Sequence, residues 1–315
     1  MSKQLLTGWH YPDVSAPIVT ADPYLARVDM SSRRSRGPVL TRRRLRFELR
    51  QFREAAQLTL DHVAREMVWS TSKIVRIENG VVGVSVNDTK ALLALYGVTE
   101  PAVVKELLGL ASDSRRRMWW AKYREHVPST FLEFVGLEDD ASRIQHYSPF
   151  VVPGLLQTPE YARAIADNDP VMPGTAEQVD IRMNRQGRLL GGADPPRYIA
   201  VLDESVLYRR FGDDTVLRDQ LNALLDHVRE PHIEVVIVPT DTVGHPGLAV
   251  GFVILEFEDP KDSPIVFHDQ AGSDVAAETP EDVARYVEVL DRLLSQGLRE
   301  NSAIAVIKAA RDKTG

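Results

Sequence analysis

One stretch constrains this chain more than any other: residues 49–80 read LRQFREAAQLTLDHVAREMVWSTSKIVRIENG. Thr59 stands just before an apolar-periodic run, where its side-chain oxygen can accept from the open amides of a helix start, and this predicts a helix over residues 60–67. Ser70 stands in the same relation to a second helix over residues 71–78. Only three or four residues, around Val68 and Trp69, turn the chain between them. Leu60, Val63, Ala64 and Met67 form the inner face of the first helix, with Ala64 small where two helices must cross closely. Ile74 and Ile77 form the inner face of the second, and Gly80 closes it as a left-handed C-cap. Helix, tight turn, helix at this spacing is the arrangement that lays its second helix in a DNA major groove.

The flanks complete a bundle. Leu45, Leu49, Phe52 and Ala56 recur at helical spacing over residues 41–57. Ser85 with Asp88 reads as a capping-box start for a fourth helix burying Ala91, Leu92, Leu95 and Tyr96. Thr99 and Pro101 start a fifth, with proline in its first turn. The expectation is a five-helix domain over residues 38–112, preceded by a flexible, basic-ended tail over 1–37 and followed by a second domain over 113–315. Arg33, Arg34 and Arg36 begin a basic run that continues through Arg42, Arg43, Arg44 and Arg46, either a solvated arm or a set of phosphate contacts.

Charge divides the same way. The net charge is -7, yet residues 31–117 hold 17 Lys/Arg against 9 Asp/Glu, and residues 118–315 hold 19 against 33. A basic module joined to an acidic one implies two jobs, because only the first is attracted to a polyanion. The chain has no cysteine, which excludes disulfides, thiolate catalysis and cysteine–zinc sites and suits a reducing cytoplasm. No apolar run approaches a membrane span and no secretory signal is visible, so the expected location is cytoplasmic.

With Ile74 and Ile77 turned inward, the outward face of the second helix is Thr71, Ser72 and Val75, with Arg76 one turn on. Arg76 is the best candidate for specificity, since a guanidinium can contact guanine O6 and N7 together. Thr71 and Ser72 suit a base edge or a phosphate, and Val75 a thymine methyl. Lys73, Asn79, Arg42, Arg43 and Arg44 are the expected phosphate contacts, which position without reading sequence. The bland alternative for each is a solvated helix surface. Arg53 and Glu78 read as a structural pair inside the domain.

The remainder alternates. Residues 115–125 (RRRMWWAKYRE) read as an interdomain helix with aromatics docked on the second core, and residues 150–155 as a strand or extended loop. A helix is expected from Thr158 to Ala166, strands over 198–202, 232–238, 248–257 and 265–268, and helices over 216–228, 279–296 and 301–310. Mixed helices and strands, the last strands in hairpin order, make this domain α+β or α/β, and the whole chain a multidomain α + α/β protein. Three roles compete for it: dimerisation or docking, a ligand pocket, and catalysis. Phosphate-loop, zinc-protease and nucleophile-elbow motifs are absent. His245, His268 and Asp269 assemble into a metal site on paper, but a glycine-rich hairpin turn is the better reading of residues 244–251. Asp203 and Glu204 invite an acid/base role, but a capped helix start is the simpler one. His62 and His227 read as helix-surface residues and His146 as interdomain. No catalytic residue, metal or cofactor is assigned.

Residues 49–97 resemble the phage-repressor and Cro type of helix-turn-helix, the xenobiotic-response-element family. The match is carried by Val63-Ala64, Ser70-Thr71-Ser72, Ile74, Ile77-Glu78-Asn79-Gly80 and Leu92-Leu93-Ala94-Leu95-Tyr96. In that family the positions of Thr71, Ser72 and Arg76 commonly face bases; the position of a phosphate-touching glutamine is Leu60 here. Trp119-Trp120, Tyr123, Leu137-Glu138, Ser142, Ile144, Tyr147-Ser-Pro149 and the string VPGLLQT at 152–158 resemble an uncharacterised domain of actinobacterial regulators, some of them antitoxin-like, acting with a small partner protein. The resemblance implies a DNA-binding transcriptional regulator, a repressor and a homodimer, whose second domain contacts another copy, a small protein or a ligand.

Overall fold

A computed structural model describes residues 36–168, 175–245, 247, 250–269 and 275–314. The expected tail over residues 1–35, with Arg33 and Arg34, lies outside the described residues.

Five helices build the head: α1 (Pro38–Ala55), α2 (Leu60–Glu66), α3 (Thr71–Glu78), α4 (Val86–Leu95) and α5 (Pro101–Asp113). The predicted caps form. Thr59 accepts from the His62 amide at 3.2 Å, Ser70 from Lys73 at 3.2 Å and Ser85 from Asp88 at 3.0 Å. Helix α1 starts earlier than expected because Pro38, with its fixed φ, occupies its first turn, while the Gly37 amide donates to Asp140 Oδ1 at 2.7 Å. Leu45, Leu49, Val63, Ala64, Ile74, Ile77, Leu92, Leu93, Tyr96 and Leu107 are buried together. Helix α4 buries Leu92, Leu93 and Tyr96; Ala91 is exposed and Leu95 half-buried, so its inner face is rotated from the expected one.

A 3₁₀ turn (Trp119–Tyr123) leads into α6 (Ser129–Asp140), β1 (Arg143–Ser148), α7 (Pro159–Asp167), α8 (Ala176–Leu189), β2 (Arg197–Asp203), α9 (Asp214–His227), β3 (Ile233–Val238), β4 (Phe252–Glu256), β5 (Ile265–His268), β6 (Val275–Ala277), α10 (Pro280–Gln296) and α11 (Glu300–Asp312). The six strands lie in the order β3-β2-β1-β4-β5-β6. Strands β3, β2 and β1 run parallel, with Tyr147 beside Val201 and Val201 beside Val236. The pairs from β1 to β4 onward are antiparallel, with Tyr147 beside Phe252 and Ile254 beside Val266. Helices α6, α7, α8, α9 and α11 cover one face and α10 the other, so the central strands are buried on both sides.

Three elements differ from the sequence reading. Residues 115–125 are not an α-helix: Arg115, Arg116 and Arg117 are exposed and offer no apolar face to bury, and only Trp119–Tyr123 coil, as a 3₁₀ turn. Their aromatics do dock as expected, Trp120 and Tyr123 entering the second core. Residues 150–155, open between a strand and an extended loop, are a loop running into a 3₁₀ turn at Gly154–Leu156; the strand is β1 just before them. His146 is not interdomain but sits within β1, buried, with Nε2 3.0 Å from Asp269 Oδ2 and Nδ1 3.3 Å from the Tyr198 hydroxyl.

Helix α1 belongs to both cores. Val39 and Leu40 are buried with Trp120, Leu132 and Val135, while Leu45 and Leu49 are buried in the head. The helix comes so close to α6 that a Cβ at Gly136 would lie 2.3 Å from Val39 Cγ2 and 2.8 Å from Trp120 Cζ2. Gly136→Ala is therefore expected to destabilise the protein by about 1–3 kcal/mol, the usual cost of overpacking, read as a lower urea midpoint.

Candidate nucleic-acid interface

Helix α3 is pinned from behind. Ile74 and Ile77 are 1% and 3% exposed. Arg53 on α1 forks onto Glu78, Nε to Oε1 at 2.6 Å and Nη2 to Oε2 at 2.9 Å, and its Nη1 donates to the Leu58 carbonyl at 2.9 Å. The pair is structural, as its placement in sequence suggested, and Glu78 holds the Arg53 cation above its ordinary range even against desolvation.

The other side of α3 is open. Thr71, Ser72, Arg76 and Asn79 are exposed, and Lys73 and Val75 half-exposed. The Arg76 side chain makes no hydrogen bond or ion pair among the described residues. Ser72 Oγ lies 3.0 Å from Ser70 Oγ, and Thr71 Oγ1 donates to Asp61 Oδ1 at 2.8 Å. Lys73 Nζ stands 3.4 Å over the Trp69 ring, a cation–π contact that holds its ammonium near the surface, with Asp88 Oδ2 3.9 Å away. The sequence reading missed Asp61 and Trp69. The i, i+4 spacing of Trp69 and Lys73 was a usable signal; nothing local ties Asp61 to Thr71.

The C-termini of α2 and α3 are closed by the same backbone device. After Glu78, the Gly80 amide donates to Ile77 O at 2.9 Å and the Val81 amide to Arg76 O at 2.8 Å, with Gly80 at φ 74. Before α3, the Val68 amide donates to Arg65 O at 3.1 Å and the Trp69 amide to Ala64 O at 2.8 Å. There the left-handed position is Val68 itself, at φ 53 and 90% exposed. A β-branched residue in that conformation is strained, because its Cβ crowds the following carbonyl.

Arg42, Arg43 and Arg44 stand elsewhere than on α3's open face. Arg43 Nη1 donates to the Ser263 carbonyl at 2.7 Å, and its Nε is 3.4 Å from Glu278 Oε1. Arg44, buried, meets the Lys261 carbonyl and Glu48. Arg42 Nη2 is 3.8 Å from Met118 Sδ. Arg46 shares Glu278 at 3.1 Å and donates to the Asn79 carbonyl at 2.9 Å, so it bridges the end of α3 to the second domain. Arg36 pairs with Asp259 and Asp262 at 2.5 and 2.7 Å. The basic run thus faces carboxylates and carbonyls of the acidic domain, and burial lowers the pKa of Arg42 and Arg43. These side chains reach a phosphate only by leaving their present partners.

The groups weighed for chemistry in the second domain are dispersed. His268 Nε2 is 3.2 Å from the Tyr286 hydroxyl, His245 Nε2 is 3.4 Å from Asp203 Oδ2, and Asp269 is held by Ser148 and His146. Among the described residues no three His, Asp or Glu side chains are placed to hold a metal ion. Asp203 caps the 3₁₀ turn after β2, accepting from the Ser205 amide at 2.8 Å. Among the described residues no helix is long and apolar enough to cross a membrane.

Two family models match these two parts. Residues 44–107 match the family model of a helix-turn-helix domain, and residues 131–309 that of a domain of unknown function (DUF5753). No curated protein and no solved structure matches.

The strained turn before α3 has a measurable consequence. Val68→Gly removes about 1–2 kcal/mol of left-handed strain and adds about 0.5–1 kcal/mol of unfolded-state entropy. A net stabilisation of about 0.5–1 kcal/mol is expected, seen as a higher midpoint for the head in chemical denaturation.

Proposed function

We propose that this chain, which belongs to the DUF5753 family and carries a helix-turn-helix DNA-binding head, is a sequence-specific transcriptional repressor. The observation that carries the reading is the asymmetry of α3: its isoleucines are buried and its Thr71, Ser72 and Arg76 tips are exposed. The helix is held by its inner face and by the Arg53–Glu78 fork, so its outer face costs little further ordering on docking.

In this reading Thr71, Ser72, Val75 and Arg76 face base edges, and Arg76 takes a guanine. Lys73 and Asn79 contact phosphate. Arg42, Arg43 and Arg44, the other phosphate candidates, contribute their field from the interdomain seam and contact phosphate only where a seam partner is given up. Two copies bind paired half-sites, because a single short helix reads too few base pairs for a unique operator. The second domain supplies the contact to the second copy or to a small partner protein, and its acidic balance keeps it off the duplex. The protein acts in the cytoplasm, and no catalytic step is assigned.

Arg76→Ala is expected to weaken binding to the selected operator by about 1–3 kcal/mol and to relax preference at one base pair, leaving non-specific affinity unchanged. Lys73→Ala is expected to weaken binding to all duplexes alike and to reduce the salt slope by about one. Titrations of both variants on operator and scrambled duplexes check this; an Arg76→Ala variant with unaltered operator affinity contradicts the groove assignment.

A further inference from the structure

A cavity of about 320 Å³ opens between helix α1, the residues that follow α3 and the turn that starts the second domain. Four arginines line it, Arg42, Arg43, Arg46 and Arg124, against one carboxylate, Glu133. Glu278, which Arg43 and Arg46 share, lies outside this lining.

Two of the four cations lack a carboxylate partner. Arg124 is exposed, and its side chain makes no hydrogen bond or ion pair among the described residues. Arg42 is half-buried and meets only weak acceptors, the Met118 sulfur at 3.8 Å and the Pro38 carbonyl at 3.5 Å. Burial lowers its pKa, the attraction of Glu133 opposes that, and repulsion from Arg124 adds to it. Glu133 itself is exposed and makes no hydrogen bond or ion pair among the described residues, so water screens its charge. The lining is therefore positive, and its one acid occupies neither free arginine.

The surroundings add to the same field. Helix α6 begins at the cavity, where Ser129 lines it; no side chain caps its open amides and its first turn holds no carboxylate. That places the positive end of a helix dipole beside the arginines. Residues 115–124 carry five cations and no carboxylate, a basic edge on an otherwise acidic domain. The cavity also adjoins the DNA-reading helix directly. Gly80 and the exposed Val81, which follow α3, are part of its wall, and Arg46 Nη1 donates to the Asn79 carbonyl at 2.9 Å. With α3 in the major groove, its outward tips meet base edges, while groups beside its end meet the sugar–phosphate backbone.

We propose that this cavity seats a backbone phosphate of the duplex read by α3, with Arg124 and Arg42 as its donors. The phosphate supplies the charged acceptor that both arginines lack, and Arg42 gives up only a thioether and a distant carbonyl to reach it. The inference rests on the DNA-binding reading and extends the contact from the head onto the first turn of the second domain.

Titrations of the full chain on operator and scrambled duplexes, over a range of salt, test it. Arg124→Ala is expected to weaken binding to every duplex by about 5–10-fold near 0.1 M salt and to lower the salt slope by about one, with base preference and Tm unaltered. Arg124→Lys is expected to keep the slope, Glu133→Gln to tighten binding to all duplexes, and Arg163→Ala, on the remote helix α7, to match wild type. Replacing duplex phosphates one at a time with uncharged methylphosphonate is expected to find one position that weakens wild type and leaves Arg124→Ala indifferent. The proposal is overturned if Arg124→Ala matches wild type in affinity and slope, or if no methylphosphonate position distinguishes the two. An Arg76→Ala variant that still relaxes operator preference then leaves the DNA-binding reading standing, whereas a wild-type chain that binds no duplex overturns both.

Discussion

The helix-turn-helix of this protein depends on how one short helix is held. Helix α3 has eight residues, too few to be stable alone. It exists because Ile74 and Ile77 are buried, each contributing about 1.5–3 kcal/mol, and because Arg53 and Glu78 fork together at its end. The same contacts fix its rotation about its own axis. A rotation that buried Arg76 would expose an isoleucine and break the fork, so the polar tips have one stable direction to point.

The second constraint is that the head does not hang from the rest. Helix α1 buries Val39 and Leu40 in one core and Leu45 and Leu49 in the other. Arg43 and Arg46 then share Glu278, and Arg36 takes Asp259 and Asp262. The opposite charge of the two domains therefore does more than steer the head toward nucleic acid: part of it is spent between them. These pairs are partly buried, and desolvation offsets much of their attraction, so the apolar contacts of α1 carry the attachment and the ion pairs set its register.

The head was legible because its signals are local. Caps three residues from their amides, isoleucines three apart and a glycine after the last turn each imply one geometry, and Thr59, Ser70, Ser85 and Gly80 behave accordingly. Strands β3 and β5 were legible for the same reason, as short runs of β-branched and aromatic residues. Strand β1 was not. Its sequence, RIQHYS, places Gln145, His146 and Ser148 in the interior, and those residues are satisfied by Glu256, Tyr198 and Asp269, far away in sequence. Helices α6 and α8 were missed likewise: α8 is dominated by polar side chains, and its Arg185 is buried only because Glu138 lies opposite. The arginines of α1 show the same limit. A basic run beside a DNA-reading helix suggests phosphate contacts, and only the folded chain brings Glu278, Ser263 and Lys261 to it.

The central claim is that the outward face of α3 is the surface that meets DNA. Hydrogen–deuterium exchange of the full chain, with and without a duplex obtained by selection from random sequence, tests it most directly. The account predicts that bound duplex slows exchange in residues 59–81 and leaves the strands of the second domain unaltered. Protection confined to residues 131–309, with residues 71–79 exchanging as in the free protein, contradicts it.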